Sequence, residues 1–168
     1  MNIAGRAHCF GDDINTDYII ASKYKTASLD PRDLTRHLME DIDPGFGQRV
    51  RPGDILVAGK NFGCGSSREG APLVIKAAGI GVVVAPSFAR IFFRNAINIG
   101  LPVFICDTSA ISTGDDLEFD LEAGTGRNRS TGALIEAAPL PRVMINIVRD
   151  GGLAAHIRKH GTFQLAGC

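Results

Sequence analysis

A run of alternating strands and helices in the middle of the chain restricts its fold more than any other sequence feature. The predicted order is strand 54–58, helix 73–78, strand 82–85, helix 88–98 and strand 103–106. Gly79 and Gly100 follow the two helices, where a glycine commonly ends a helix in the left-handed conformation. Because the connections are short, the strands are expected to pair through right-handed crossovers, which predicts a parallel sheet covered by helices.

The segments on either side of this run extend the sheet and add helices. A first strand is predicted at residues 2–10, and Asp30 with Pro31 predicts the start of a short amphipathic helix that continues to residue 41. Short antiparallel strands are predicted at 117–121, 127–130 and 133–136, followed by helices at 141–150 and 153–159. The chain shows no repeat or long linker, so we expect one α/β domain over residues 1–168, with a mixed sheet flanked by helices.

Composition and charge exclude several classes of protein. Of the 168 residues, 45% are hydrophobic and 21% are charged, as in ordinary globular proteins and unlike disordered chains. The 18 basic and 18 acidic residues balance, which argues against nucleic acid or an anionic membrane as a partner. No apolar segment is long enough to span a bilayer, no signal peptide is visible, and the four cysteines form no C-x-x-C pair. We therefore expect a cytoplasmic protein with free thiols.

A glycine-rich turn at residues 61–69 is the strongest candidate for a binding site. Gly63 and Gly65 lie on either side of Cys64, and their freedom of conformation lets backbone N–H groups converge on an anion. A helix is predicted to follow, and helix N-termini favour anions through their unpaired N–H groups. Gly63, Cys64 and Gly65 are therefore predicted to form an anion-cradling turn. Cys64 is also a candidate thiolate nucleophile, although the sequence places no histidine base beside it.

The side chains after this turn are suited to binding a small anion. Ser66 and Ser67 offer hydroxyl donors, and Arg68 offers a planar guanidinium that matches a carboxylate or phosphate. The structural alternative is an ordinary turn in which Ser67 caps the helix and Arg68 pairs with Glu69 on the surface. The spacing of glycines in this segment matches neither G-x-x-x-x-G-K-[ST] nor G-x-G-x-x-G, the two motifs that bind nucleotide phosphates. The sequence therefore argues against a nucleotide phosphate site here.

The remaining polar clusters are interpreted as structural. Residues 12–17 carry three aspartates but lack the alternating ligands and central glycine of a calcium loop, and are expected to form a self-bonded turn. His156 and His160 have the i, i+4 spacing of metal ligands, but no glutamate of an H-E-x-x-H pattern accompanies them. They are interpreted as part of a solvated terminal helix, and no metal ligands are predicted on this chain.

Four segments, in this order along the chain, carry a resemblance to a known family. They are GDDINTDYII at 11–20, PGD at 52–54, NFGCGSSRE at 61–69 and SFARIFFRNAINIGLP at 87–102. With these motifs the chain resembles the small subunits of 3-isopropylmalate dehydratases, which are a detached form of the swivelling β/β/α domain of the aconitase superfamily. The resemblance covers nearly the whole chain and implies that fold.

The resemblance also implies a two-part hydro-lyase. In such enzymes a separate large subunit holds a [4Fe–4S] cluster, so no cofactor is expected on this chain. The implied reaction isomerises 2-isopropylmalate to 3-isopropylmalate by dehydration and rehydration, a step in leucine biosynthesis. Homoaconitase and other hydro-lyases of 2-hydroxy-dicarboxylates, such as dimethylmalate, remain alternatives. An anion-binding regulatory module without catalysis is an alternative of another class.

The resemblance assigns functional roles to three residues of the glycine-rich turn. They make Ser66 the catalytic base, and they make Ser67 and Arg68 ligands of a substrate carboxylate. A serine hydroxyl is a weak base unless its alkoxide is stabilised, and donors converging on it beside a guanidinium are suited to that task.

The resemblance also assigns roles to residues 24–26, in the loop that follows the first motif. Tyr24, Lys25 and Thr26 are expected to bind the substrate. Lys25 is expected to hold a carboxylate, and the small Thr26 leaves room for a branched side group. The alternative for Lys25 is a solvated loop lysine. One departure from the family pattern is Gly70, where relatives commonly carry His or Gln.

Overall fold

Seven strands in the described part of the chain form one mixed sheet. The computed structural model describes residues 1–24, 30–137 and 139–161. The strands are β1 (Asn2–Cys9), β2 (Ile55–Val57), β3 (Val82–Ala85), β4 (Val103–Ile105), β5 (Asp116–Asp120), β6 (Thr125–Asn128) and β7 (Leu134–Glu136). Their order across the sheet is β4-β3-β2-β1-β5-β6-β7.

The half of the sheet from β1 to β4 is parallel, as the sequence predicts. Ala7 pairs with Ile55, and Val84 pairs with Phe104, in the two outer ladders of this half. Every residue of β2 and β3 is buried, which is typical of parallel strands covered on both faces. The antiparallel pairing predicted for the later strands is also confirmed, because β5 pairs with β1 and with β6, and β6 pairs with β7.

The antiparallel strands cover one face of the parallel half. Phe104 of β4 and Phe119 of β5 are separated in the sheet by three strands, yet their rings lie 4.5 Å apart between centroids. A buried cluster joins Val57, Val84 and Leu117 on this face. The sheet therefore curls over itself, and with helices on the other face the architecture has three layers, β/β/α, as expected.

The helices cover the opposite face of the parallel strands. They are α1 (Thr16–Ile19), α2 (Pro31–Leu34), α3 (Phe46–Arg49), α4 (Gly70–Ala77), α5 (Arg90–Ile99), α6 (Arg142–Arg149) and α7 (Leu153–His160), with 3₁₀ turns at Ser22–Tyr24 and Thr35–His37. Val74 of α4 and Phe92 of α5 pack on Val83 of β3 in one buried cluster. Gly79 and Gly100 follow α4 and α5 with φ of +90° and +75°, which confirms the predicted helix ends.

The predicted helix over residues 30–41 is wrong in its length. Asp30 caps it and Pro31 opens it as expected, but α2 ends at residue 34 and a 3₁₀ turn follows. Met39 lies in the left-handed region at φ +57° and donates its N–H to the Ile19 carbonyl, 3.0 Å away. This long-range contact buries Met39 completely and replaces the helical bonds that local sequence would favour.

Two short helices were not predicted, because each spans only four residues. In α1 the Asn15 side chain accepts from the N–H groups of Asp17 and Tyr18 at 2.8 and 2.9 Å. This bonding agrees with the self-bonded turn predicted for residues 12–17. No helix among the described residues has the length and apolar character needed to cross a membrane.

Candidate active site

Three segments meet at the carboxyl edge of the parallel strands. Residues 12–17 follow β1, residues 61–66 follow β2 and residues 87–92 follow β3. Backbone bonds join them, because Thr16 N–H donates to the Cys64 carbonyl at 2.9 Å and Ala89 N–H donates to the Phe62 carbonyl, also at 2.9 Å. The carboxyl edge of a parallel sheet is where ligands bind in open α/β folds. The motifs singled out from sequence are thus assembled at one place.

The first glycine of the turn is required by close packing. A Cβ on Gly63 would lie 2.2 Å from Cγ of Phe92, and the φ of Gly63 is +77°. The N–H of Gly63 donates to the Ile14 carbonyl at 2.8 Å, so it is not available to a ligand. Any N–H groups that cradle an anion in this turn therefore belong to residues other than Gly63. Its role is to let α5 approach the turn.

The other members of the predicted cradle differ in exposure. Gly65 has φ +94° and lies open to the cleft. The Cys64 thiol points back, with Sγ 3.5 Å from the Asp13 carbonyl oxygen. Partial burial raises the pKa of the Cys64 thiol, and the Asp13 carboxylate raises it further. Both effects hold the thiol in its neutral form, which disfavours a role for Cys64 as a thiolate nucleophile.

The helix after the turn starts later than the structural alternative requires. Helix α4 begins at Gly70, and its N-cap is Glu69, whose side chain makes no capping bond. Ser67 is therefore not the helix cap. Arg68 pairs with Asp17 rather than with Glu69. An ordinary capped turn with a surface ion pair does not describe this segment.

Ser66 is exposed at the cleft, and Thr16 holds its backbone. The Thr16 hydroxyl donates to the Ser66 carbonyl at 3.1 Å and lies 3.4 Å from Ser66 Oγ. Only 2% of Thr16 is exposed, so this hydroxyl is oriented by its surroundings. Sequence reasoning missed Thr16 as a site residue, although it lies inside the first of the four motifs. Its position in that motif, directly before Asp17, is the sequence signal that could have identified it.

The guanidinium of Arg68 is fixed from the side of α1. Its Nη1 donates to Asp17 Oδ1 at 2.5 Å, and its Nη2 donates to Ser22 Oγ at 3.3 Å. Ser22 in turn donates to Asp17 Oδ1 at 2.7 Å. Hydrogen bonds from Ser22 and then from Arg68 lower the pKa of Asp17, so the carboxylate stays ionised as the partner of Arg68. Arg68 is thereby held in one orientation.

Ser66 and Arg68 line the same cleft, which has a volume of about 270 Å³. The other lining residues are Thr16, Gly63, Gly65, Ala89, Arg90, Ile91, Phe92 and Asn95. Arg90 and Asn95 lie on α5 and were not predicted as site residues, although the fourth motif contains them. A second arginine beside Ser66 makes this cleft favourable for an anion.

Other predicted site residues lie elsewhere. Ser67 lines a neighbouring cleft of about 470 Å³, which it shares with Arg68 and Ser22. Tyr24 stacks on His37 and lines a third cavity, of about 560 Å³. Lys25 and Thr26 lie outside the described residues.

One group of possible metal ligands exists in the described part of the chain. It consists of Asp150, His156 and His160, whose ligand atoms lie within 4.8 Å of one another. The interpretation of a solvated helix face is wrong for His156, which is 2% exposed and bonds Asp150 at 2.6 Å. Lys159 also binds Asp150, at 2.6 Å, so the carboxylate is already bonded to an ammonium group and to an imidazole. The group shares no residue with the cleft of Ser66.

Comparison with known proteins agrees with this geometry. The model of the aconitase C-terminal domain family matches residues 21–106. An aconitase X structure from Thermococcus kodakaraensis superposes with a TM-score of 0.52 at 17% identity over 82% of this chain and 91% of that chain, which shows a shared fold. The fold and the site therefore define an aconitase-type swivel domain.

Proteins with similar sequences show which family within this class the chain belongs to. The chain is 52% identical to 3-isopropylmalate dehydratase small subunit 2 of Archaeoglobus fulgidus, over 98% of this chain and 100% of that one. It is 53% identical to small subunit 1 of Methanopyrus kandleri, over 98% of each chain. A crystal structure of 3-isopropylmalate dehydratase (leuD) from Methanocaldococcus jannaschii superposes with a TM-score of 0.91 at 45% identity, over 96% of each chain. The chain belongs to the family of 3-isopropylmalate dehydratase small subunits, as its motifs indicated.

Proposed function

We propose that the cleft beside Ser66 is this subunit's share of an active site that interconverts 2-isopropylmalate and 3-isopropylmalate. The substrate loses water to give isopropylmaleate, and water returns with the hydroxyl on the neighbouring carbon. The observation that supports this role most directly is that Ser66 and Arg68 line one cleft at the carboxyl edge of the parallel strands.

Ser66 is proposed as the base that removes the carbon-bound proton. Its hydroxyl is exposed to the cleft, where a substrate can reach it. The Thr16 hydroxyl donates to the Ser66 carbonyl at 3.1 Å and lies 3.4 Å from Ser66 Oγ, so a rotation of that hydroxyl would direct its proton to an alkoxide. Because only the hydroxyl proton of Thr16 has to move, this donor can stabilise the alkoxide form of Ser66, which is the form that accepts the carbon-bound proton.

Arg68 is proposed to bind a substrate carboxylate. Asp17 and Ser22 hold its Nη atoms from one side, which fixes the guanidinium before a substrate arrives. A fixed guanidinium loses less entropy on binding and presents a planar pair of donors to a carboxylate. Arg90 adds a second cation to the same cleft, and we propose that Ser67, which lines the neighbouring cleft together with Arg68, binds the substrate carboxylate from that side.

The leaving hydroxyl needs a Lewis acid, which we place on a partner chain. Among the residues that the structure describes, Cys9, Cys64 and Cys106 form no ligand group, so these three cysteines do not fit a [4Fe–4S] cluster. We assign the cluster to a separate large subunit, where it supplies Lewis acidity to the departing oxygen. The part of this chain is to bind the substrate and to move the proton at Ser66.

The choice among dicarboxylates is proposed to depend on the segment after Tyr24. Lys25 and Thr26 are assigned to it on the family resemblance alone, and we propose isopropylmalate as the main substrate. The thiols of Cys9, Cys64 and Cys106 are free, which supports the proposal that the protein works in the reducing cytoplasm.

The test is to reconstitute the chain with its large subunit under anaerobic conditions and to measure hydration of isopropylmaleate. We expect hydration that requires both subunits. The same complex is then offered cis-homoaconitate and dimethylmaleate, since faster turnover of either one would support an alternative hydro-lyase. A complex that hydrates none of the three would contradict the proposal and favour a non-catalytic anion-binding module.

A further inference from the structure

A second cluster of polar side chains lies outside the cleft of Ser66 and has no part in the proposed chemistry. The ring of Tyr24 stacks on the imidazole of His37, with centroids 3.9 Å apart and planes 19° from parallel. His37 Nδ1 lies 2.6 Å from Glu40 Oε2, and Lys23 Nζ lies 3.1 Å from Glu40 Oε1. The Tyr24 hydroxyl is a further hydrogen-bond partner of Glu40. We call these four residues the Tyr24 clamp.

The hydrogen bonds around His37 determine which nitrogen of its imidazole carries the proton. Arg36 Nε donates to His37 Nε2 at 2.9 Å, so that nitrogen carries a lone pair. The proton of a neutral imidazole is then on Nδ1, from which it is donated to Glu40. Hydrogen bonds from Tyr24, His37 and Lys23 lower the pKa of Glu40 to about 2, so its carboxylate is ionised and accepts these bonds at neutral pH.

The clamp is connected to Arg68 through one short turn. Residues Ser22–Tyr24 form a single 3₁₀ turn. At its first residue, the Ser22 hydroxyl accepts from Arg68 Nη2 at 3.3 Å and donates to Asp17 at 2.7 Å. At its last residue, Tyr24 is held by the clamp. A turn this short does not hold its shape alone, so contacts at its two ends fix it.

We propose that His37 and Glu40 are positioning residues for substrate binding, which act by holding Tyr24 and so fixing the Ser22 hydroxyl on Arg68. The proposal rests on the carboxylate-binding role of Arg68. Neither His37 nor Glu40 lines the cleft of Ser66, so neither touches a substrate there. Releasing Tyr24 would let the turn shift and would free one side of the guanidinium. Binding of substrate would weaken, while proton transfer at Ser66 would be preserved.

The experiment uses the complex with the large subunit and compares Glu40→Ala, Glu40→Gln and His37→Phe with the wild type. For Glu40→Ala we expect KM for isopropylmaleate to rise about five- to thirtyfold, with kcat within about twofold. Glu40→Gln should recover part of this loss, because its amide oxygen still accepts from Tyr24. His37→Phe keeps a ring to stack on Tyr24 but loses the bond to Glu40, and should raise KM by an intermediate factor. Glu136→Ala, on the exposed edge strand β7, is the matched control and should leave both constants unchanged.

The kinetic results separate a failure of this proposal from a failure of the proposed function. If Glu40→Ala assembles with the large subunit and keeps the wild-type KM, the proposal is wrong while the function of the cleft stands. A fall in kcat at constant KM would also overturn it, since that would indicate a general structural role. If Glu40→Ala fails to assemble, His37→Phe decides by the same criterion. A wild-type complex without activity would instead contradict the proposed function.

Discussion

The Asn61 side chain donates to the carboxylate of Asp13, with 2.8 Å between Nδ2 and Oδ1, and both residues have left-handed backbone. Their φ values are +60° and +54°. Asparagine and aspartate adopt this conformation at lower cost than other non-glycine residues, because short polar side chains bond locally. The two bends direct the first motif and the glycine-rich turn toward each other, so that Thr16 N–H meets the Cys64 carbonyl. This pair therefore supports the backbone on which Ser66 lies.

A comparison of two substitutions tests the role of Asn61. Asn61→Ala loses the bond to Asp13 and places alanine in the left-handed region, which we expect to cost about 1–2 kcal/mol of unfolding free energy. Asn61→Gly also loses the bond but adopts this backbone without strain, so it should cost less. Urea unfolding of the two variants measures the difference. Equal losses would show that the conformation at residue 61 stores no strain.

Gly63 is expected to be the least replaceable residue of the turn. An alanine there would bring its Cβ within 2.2 Å of the Phe92 ring and would also strain a backbone at φ +77°. The loss expected for Gly63→Ala is about 3 kcal/mol or more, since overpacking adds to backbone strain. Gly132→Ala is the control, because residue 132 has φ +82° with nothing within 4 Å and so isolates the backbone cost. Similar unfolding free energies for both variants would contradict the packing argument.

Ser66→Ala tests the proposed base. We expect kcat for hydration of isopropylmaleate to fall at least about a hundredfold, because no other group takes over the proton. The side chain is exposed and small, so folding and assembly with the large subunit should be unchanged. Activity within tenfold of the wild type would remove Ser66 from the catalytic role.

Thr16 provides a finer test of the same chemistry. Thr16→Val keeps the shape of the buried side chain but removes the hydroxyl bonded to the Ser66 carbonyl. We expect kcat to fall about tenfold and stability to fall by about 1 kcal/mol, as for the loss of one buried hydrogen bond. Thr16→Ser should restore both quantities. A kcat that stays at the wild-type value in Thr16→Val would show that Ser66 needs no orienting donor.

The parallel core and the site were predictable from sequence to different degrees. The strand 82–85 and both glycine helix ends were predicted correctly, because local periodicity and glycine conformation determine them. The length of the helix predicted over 30–41 was wrong, because the bond from Met39 to Ile19 interrupts it. That bond joins residues far apart in sequence, so local periodicity does not reveal it. The partner of Arg68 was missed for the same reason. Asp17 lies 51 positions away, and only the folded sheet brings the two residues together.

Arg68→Lys tests whether the guanidinium has a geometric role beyond its charge. A lysine ammonium cannot bond Asp17, Ser22 and a substrate carboxylate in one plane. We expect a loss of about 1.5–3 kcal/mol in transition-state binding, which corresponds to about one to two decades in kcat/KM. Steady-state kinetics of the assembled complex provide the measurement. A loss below twofold would indicate that Arg68 faces an interface rather than the substrate.

The cluster around Asp150 predicts how the isolated subunit responds to acid. Hydrogen bonds from Lys159, His156 and then His160 hold the pKa of the Asp150 carboxyl below its ordinary value of 3.8. A carboxyl whose pKa is lowered by folding contributes stability above its unfolded pKa, and that contribution is lost as the pH falls toward the folded pKa. We therefore expect Asp150→Asn to be less stable than the wild type at pH 7, with a difference that narrows below about pH 3.8. Thermal unfolding of both proteins between pH 7 and pH 3 measures this, with Asp41→Asn on the exposed surface as the control. A difference that stays constant down to pH 3 would show that ionisation of Asp150 does not link α6 to α7.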